Sequence, residues 1–387
     1  MAGQVRQPID MASLERYVAA RVPEIKVPLD VKQFGYGQSN PTYQLTDKNG
    51  NKYVMRKKPP GQLLSKVGTA REQKTVQCQL DVQTAHKVDR EYRILHALEK
   101  TDVPVPKTFC LCQDETIIGT DFYIMEFLDG RIFEDPAIPG VTSEERTKMW
   151  HSAITTLAKF HCVSPASVNL SSYGKPSGFY NRQLVTFNTI SESQAAARDQ
   201  ETGEPVGKIP HQDDMVAFFQ DAATQPKDRA TFIHGDYKID NVVFHKTQPT
   251  VIGILDWEMS TIGHPLSDLN NLLAPYLTAS SAKAKAIGRA HAAFQPGATP
   301  GLPTRDQLVQ WYSEVAGWDP RPDFTWGDAF TTYRTAIIMQ GIAARYALRQ
   351  ASSAQAKSYG EMLKPYAEIA WDLVEEYKRG HTDKARL

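Results

Sequence analysis

The chain has 387 residues, with 44 Lys plus Arg balanced by 44 Asp plus Glu; 41% of it is hydrophobic and 23% charged. That composition excludes disordered, collagen-like and coiled-coil classes, and zero net charge argues against a wholesale nucleic-acid or anionic-membrane surface. At roughly 150 residues per domain the length allows two or three domains or one large two-lobed unit, either with ample chain to bury a core.

Residues 12–25 read as a short amphipathic helix broken by Pro23 and Pro28. From 31 to 57 the texture changes to three strands separated by two turns, with Gly35 and Gly37 in the first turn and Asn49-Gly50, a strong hairpin signal, in the second. The stretch 61–84 is polar and aperiodic. Val88, Tyr92, Leu95 and Leu98 then recur at helical spacing, and TFCLCQ and TDFYIMEFLDG follow as strand candidates. Beyond residue 130 the chain is mostly helical. Thr142 and Glu145 are spaced as a capping box ahead of a helix running to about 163. Residues 164–210 are expected to be loop-rich with short helical pieces, and an apolar strand–loop–strand unit occupies 230–257. The stripe Leu363, Tyr366, Ile369, Leu373 and Tyr377 reads as the core face of a late helix. The expected organisation is α+β: a helical extension over 1–30, a β-rich N-lobe over 31–129, a larger helical C-lobe over 130–380 and an exposed tail over 381–387, the lobes meeting near 126–131.

Four cysteines, at 78, 110, 112 and 162, are too few and too scattered for a disulfide framework or a zinc set, and read as reduced thiols. No apolar core marks a secretory signal near Met1, and no window approaches the ~18 to 20 apolar residues that span a bilayer. These features point to a soluble intracellular protein with no membrane or nucleic-acid partner. Ala385-Arg386-Leu387 has the small–basic–Leu form of a C-terminal peroxisomal address, which would make an import receptor a partner.

The strongest chemical signal is TFIHGDYKIDNVVF at 231–244 followed by VIGILDWE at 251–258. One apolar strand delivers His234, Gly235 and Asp236, a step of five reaches Asn241, and another apolar strand delivers Asp256. The pattern predicts three oxygen-bearing side chains converging at the ends of adjacent strands. Asn241 and Asp256 are hard-oxygen ligands suited to Mg²⁺, and Asp236 can accept the proton of an attacking hydroxyl. Lys238 lies two residues on, where a cation can reach a transferring phosphate. Such a loop requires a nucleotide site upstream. Gly35, Gly37, Gln38, Ser39 and Asn40 lie between two strands, where a phosphate-covering loop belongs, and Arg56, Lys57 and Lys58 end the third strand. Alternation lets either Arg56 or Lys58 face the cleft, with Lys57 turned away and Glu91 orienting the cation. Gly68 to Thr75 mimics a Walker A loop, but Gln73 stands where its second Gly belongs and no strand–helix frame surrounds it. There is no Gly-x-Ser-x-Gly, His-Glu-x-x-His or Cys-x-x-Cys.

HGDYKIDN, ILDWE and GHPLSDL together resemble the aminoglycoside phosphotransferase-like family, whose fold resembles protein kinases. FGYGQSNPTYQL, YVMRKKPPG, DREYRIL and DFYIMEFLDGRIF are similar to one branch of it, the kinase-like domain found at the N-terminus of certain acyl-CoA dehydrogenases and as stand-alone proteins. The resemblance covers about 33–353. It implies a two-lobed kinase-like fold and ATP and Mg²⁺ as cofactors. Asp236 would be the catalytic base, with Lys238 beside it, and Asn241 and Asp256 would be the metal ligands. Arg56 would take the place of the phosphate-binding lysine, paired with Glu91. Gly35, Gly37, Gln38, Ser39 and Asn40 would cover the phosphates, and the backbone of Glu126, Phe127 and Leu128 would hold adenine. His234 would orient the loop and Asp268 would brace the fold.

The resemblance also marks part of 67–84 as an insertion, and places any oxidation step on a separate acyl-CoA dehydrogenase. For this branch the implied acceptor is the 4-hydroxyl of a hydroxyacyl-CoA; Arg182, Gln183 and Lys208 read either as acceptor contacts or as structural salt-bridging groups. The alternatives are another small hydroxyl acceptor, such as an aminoglycoside, an amino sugar or a choline-like alcohol, and a nucleotide-binding scaffold of low activity.

Overall fold

The computed structural model describes residues 2–3, 5, 8–35, 40–59, 88–351 and 355–384. The N-lobe is a six-stranded antiparallel sheet in the order β1-β2-β3-β4-β6-β5. Its strands are β1 (Ala2–Gly3), β2 (Asp30–Phe34), β3 (Thr42–Thr46), β4 (Lys52–Lys57), β5 (Thr108–Cys112) and β6 (Phe122–Glu126). The β3–β4 hairpin turns where Asn49-Gly50 predicts it: Gly50 has a φ of 84°, and the Asp47 carboxylate accepts the N–H groups of Asn49 and Asn51 at 2.8 and 2.9 Å.

Alternation along the strands splits the sheet into two apolar faces. Tyr43, Leu45, Met55 and Ile124 pack with Leu14 and Val18 of helix α1 (Met11–Arg21), so the N-terminal extension is part of the N-lobe. Val54, Tyr123 and Met125 pack on the other side, with Ile94, Leu95 and Leu98 of α2 (Val88–Leu98). Pairing of β4 with β6 sets Arg56 opposite Tyr123, on the α2 side. Lys57 falls on the other face, its amine 5.5 Å from the Tyr43 ring centroid.

The C-lobe contains α3 (Ser143–Cys162), α4 (Phe179–Ala196), α5 (Gln212–Gln220), α6 (Leu266–Ser280), α7 (Arg305–Ala316), α8 (Phe324–Ala347) and α9 (Leu363–Lys384). Several expectations change here. The loop-rich reading of 164–210 misses α4, which has 18 residues and follows Gly178 without a side-chain cap. Its Thr and Ser residues weaken the local helical signal, and burial of Phe179, Tyr180, Leu184, Phe187 and Ile190 supplies the stability instead. The capping box at Thr142 is one-sided: Thr142 accepts from the Glu145 N–H at 3.2 Å, but the Glu145 carboxylate pairs with Arg131 at 2.8 Å. The strands of 230–257 do not form one sheet. β7 (Thr231–Ile233) pairs with β10 (Thr261–Gly263), and β8 (Val242–Phe244) pairs with β9 (Val251–Ile254). Finally, α9 continues through Gly380 to Lys384, so the first residues of the expected tail are helical, with His381 exposed. A glycine lowers helix stability by only ~1 kcal/mol, which the packing of Leu363, Ile369 and Leu373 offsets. Among the described residues no helix is long and apolar enough to cross a membrane.

Candidate active site

Two lobes meet just after β6, and charged groups from both converge there. Arg56 is buried at the end of β4, with Nη1 2.9 Å from Glu91 Oε2 and 3.3 Å from Asp256 Oδ1. Its Nη2 lies 3.6 Å from Glu258 Oε2. Burial alone would lower the guanidinium pKa, but Glu91, Asp256 and Glu258 outweigh it and hold Arg56 charged. Burial pushes the Glu91 carboxyl up, and three groups oppose that push: Arg56, the Tyr123 hydroxyl donating at 2.9 Å and the Asn40 amide donating at 2.6 Å. A buried ion pair holds only when its remaining lone pairs are satisfied in this way. Register therefore selects Arg56, rather than Lys58, as the cleft cation.

The loop from His234 to Asn241 is held from below. The N–H groups of His234 and Gly235 donate to the Asp268 carboxylate at 2.6 and 2.8 Å. His161 Nε2 lies 3.3 Å from the same carboxylate, and its Nδ1 is 2.8 Å from the Tyr312 hydroxyl. Burial would raise the Asp268 carboxyl, yet His161, His234 and the backbone donors leave it below its usual value. His234 bridges to the neighbouring ribbon: Nε2 donates to the Leu255 carbonyl at 2.8 Å, and Nδ1 accepts the Asp236 N–H at 3.2 Å. Gly235 has no substitute there, because its φ is 85° and an added Cβ would sit 2.7 Å from Met259.

This support brings Asp236, Asn241 and Asp256 together from the two separate ribbons. Asn241 Nδ2 donates to the Asp236 carbonyl at 2.8 Å and to its carboxylate at 3.1 Å. The Leu255 N–H donates to the Asn241 carbonyl at 2.8 Å, which ties the residue before Asp256 to the loop carrying Asp236. Asn271, one turn beyond Asp268 on α6, donates to the Asp236 carboxylate at 3.4 Å. Lys238 lies 3.4 Å from Asp236 and 3.2 Å from Asp240. Burial would lower the Lys238 amine, but these two carboxylates raise it above its usual value. Asp256 takes a left-handed conformation with φ 65°, and its side chain stays 41% exposed despite the contact with Arg56. With the Asn241 nitrogen turned to Asp236, its amide oxygen and the Asp256 carboxylate are the hard-oxygen groups available at the site. That donor set fits Mg²⁺, which takes one or two protein ligands and completes its shell with phosphates and water.

Among the other expected residues, Gly35 follows β2 directly, while Gly37, Gln38 and Ser39 lie outside the described residues. Asn40 turns inward rather than toward the phosphate side; it is fully buried on Glu91. Glu126 ends β6, with Phe127 and Leu128 in the crossing between the lobes. The 67–84 segment, the Walker-like stretch and Ala385-Arg386-Leu387 also lie outside the described residues. Of the acceptor contacts, only Gln183 lines a cavity of about 460 Å³ that opens beside Gly235 and Met259. Arg182 instead binds the carbonyls of Ser177 and Lys175, and Lys208 pairs with Asp213 at 3.8 Å on the surface. Sequence reading misses Tyr123, His161, Glu258, Asn271 and Arg334. The spacing of Asp268 and Asn271, three apart on one helix face, is the signal that points to Asn271.

The sequence profile of the phosphotransferase enzyme family matches residues 30–308. Acyl-CoA dehydrogenase family member 11 of Gallus gallus is 34% identical over 369 residues, covering 94% of this chain and 43% of the relative. The chain thus spans less than half the length of that curated relative. A crystal structure of a candidate aminoglycoside phosphotransferase from Ralstonia eutropha is 33% identical, with a TM-score of 0.76 over 95% of this chain and 99% of the other. The ternary complex of streptomycin, ATP and APH(2'')-IIa shares the fold at 13% identity and a TM-score of 0.55, over 94% and 99% of the two chains. The family profile covers the N-lobe and the C-lobe as far as residue 308, and this chain belongs to the phosphotransferase enzyme family.

Proposed function

We propose that the protein transfers the γ-phosphoryl group of ATP to the 4-hydroxyl of a 4-hydroxyacyl-CoA in fatty-acid catabolism. The observation that carries the transfer chemistry is the convergence of Arg56, Asp236, Asn241 and Asp256 at one interlobe cleft. Asp236 accepts the hydroxyl proton as the acceptor oxygen bonds to the γ-phosphorus. The bond from that phosphorus to the bridging oxygen breaks, and ADP leaves with its electron pair. Arg56, oriented by Glu91, holds the α- and β-phosphates, and Lys238 neutralises charge on the transferring group. Gly35 and the loop carrying Gly37, Gln38 and Ser39 cover the phosphates, and Asn40 acts through Glu91. The backbone of Glu126 to Leu128 receives adenine. Asn241 and Asp256 would hold Mg²⁺, which supplies charge neutralisation on the phosphates when bound.

The acyl-CoA part of the reading draws support from the relatives' names and from the Ala385-Arg386-Leu387 ending, which suits peroxisomal import through a receptor. An acyl-CoA dehydrogenase activity would then supply the oxidation step. A second reading, an aminoglycoside acceptor, draws support from the Ralstonia eutropha neighbour. The test is one panel: purified protein with MgATP offered 4-hydroxyacyl-CoAs, 3-hydroxyacyl-CoAs, aminoglycosides and choline, with products followed by mass. Phosphorylated 4-hydroxyacyl-CoA is expected, and a phosphorylated aminoglycoside in its place overturns the acceptor assignment. Asp256→Ala is expected to abolish Mg²⁺-dependent nucleotide binding; retained tight binding assigns the metal elsewhere. Deleting Ala385 to Leu387 is expected to leave a tagged protein in the cytosol, and continued import sinks the address.

A further inference from the structure

The cavity beside the catalytic loop has chemistry that phosphate binding does not explain. Its volume of about 460 Å³ lies within the range of small-molecule sites, and its mouth reaches Gly235, next to Asp236, and Met259, three residues after Asp256. The α4 wall presents Gln183, Phe187 and Ile190 on successive turns, about 10 Å of helix. Facing it, α8 presents Arg334 at the catalytic end, where it donates to the Gly235 carbonyl at 3.1 Å, and Ile337 one turn further along. Met259 and Ile338 in the lining are 41% and 39% exposed, so the cavity opens to solvent beside them.

Charge narrows the occupant. Arg90 also lines the cavity, donating to the carbonyls of Tyr173 and Ser260 at 3.0 and 3.2 Å. Among the described residues, no carboxylate lies within ion-pair distance of Arg90 or Arg334. Glu258 is the acidic residue of the lining, and its carboxylate lies 3.6 Å from Arg56. The lining is mixed, with Gln194, Ser260, Thr261, Ser267 and Thr331 among its polar side chains, but the apolar groups Phe187, Ile190, Phe330 and Ile337 lie together on α4 and α8. With two guanidinium groups at the Gly235 end, this arrangement disfavours a polycation and suits an aliphatic chain with an anionic head.

Resting on the phosphotransferase reading above, we infer that this cavity holds the aliphatic tail of the acceptor, and that Ile337 against Ile190 limits its length. The phosphoryl-accepting hydroxyl then lies at the mouth beside Asp236, with the tail running between α4 and α8.

Two measurements test this on the full chain. In turnover with ATP, 4-hydroxypentanoyl-, 4-hydroxyheptanoyl-, 4-hydroxynonanoyl- and 4-hydroxyundecanoyl-CoA should show kcat/KM rising by up to about fourfold per added methylene until the tail meets Ile337. Ile337→Trp should lower kcat/KM for the longer chains by at least about tenfold while short chains stay near wild type. Ile337→Ala should move the optimum to longer chains, which keeps the test open if the Trp variant fails to fold. Separately, calorimetric titration with saturated acyl-CoAs of matching length reads the tail site without chemistry. Length-dependent binding that Ile337→Trp weakens, with no turnover, supports the cavity and overturns the proposed reaction. Turnover with a flat length profile, or equal loss at every length in Ile337→Trp with ATP binding intact, overturns the tail site and leaves the reaction standing. No binding and no turnover overturn both.

Discussion

Around Arg56, three carboxylates share one buried guanidinium, and Glu91 takes further hydrogen bonds from Asn40 and Tyr123. At the cavity beside Gly235, which Phe330 lines, the C-lobe is built from aromatic rings instead. Phe219 meets Trp326 edge-on at 5.3 Å between centroids and Phe330 at 5.2 Å, while Trp326 and Phe330 stack at 5.2 Å. The first region depends on matched charge, so losing one partner strands another in a low-dielectric setting. The second depends on area and shape, which many apolar combinations can satisfy. On the proposed reading, the transfer chemistry would lie in the first kind of region and acceptor choice in the second.

Four measurements probe that contrast. Asp236→Asn, at the exposed edge of the charged region, should lower turnover by about 10²–10⁴-fold while ATP still binds. Turnover within about threefold of wild type would remove Asp236 as the base. Glu91→Ala leaves Arg56 short of its nearest partner and should lower unfolding free energy by about 3–5 kcal/mol in chemical denaturation. A loss below about 1 kcal/mol would mean that water reaches the pair and the matched-charge description fails.

The third measurement concerns His264, tilted against Tyr180 at the edge of the aromatic region. Burial holds its imidazole down at about 4, with Nε2 donating to the Lys227 carbonyl at 3.1 Å and Nδ1 accepting the Leu266 N–H at 3.2 Å. Protonation removes that acceptor. The unfolded chain titrates near 6.5, so it binds more protons than the folded state between pH 4 and 6.5. Stability should therefore fall as pH drops through that window, by up to about 3 kcal/mol, and His264→Gln should flatten the dependence. An unchanged slope in the variant would assign the acid sensitivity to other groups. The smallest effect is a control outside both regions: Thr142→Ala removes the cap on α3 and should cost about 1 kcal/mol with kcat unchanged. A fall in kcat there would show that general destabilisation mimics the loss of a catalytic group.

Much of this molecule is legible along the chain because the relevant forces are local. The Asn49-Gly50 hairpin follows from the backbone freedom of Gly50, and the helical stripe from Val88 to Leu98 follows from spacing. His234 to Asn241 form a loop compact enough for its pattern to imply convergence with Asp256. The helix α4 is hidden because its stability comes from partners distant in sequence: Ser191 on α4 bonds Gln340 on α8, 149 residues away. Local pattern points Asn40 outward because nothing near it announces Glu91, 51 residues later.

Read along the chain, the residues specify which groups are available for phosphoryl transfer and in what order, since five residues of spacing and strand-like flanks constrain a short loop strongly. Which basic residue faces the cleft is settled only in three dimensions, because the pairing of β4 with β6 sets Arg56 beside Tyr123. The cavity beside Gly235 is likewise a product of tertiary packing, for its walls on α4 and α8 come from segments that no local pattern brings together.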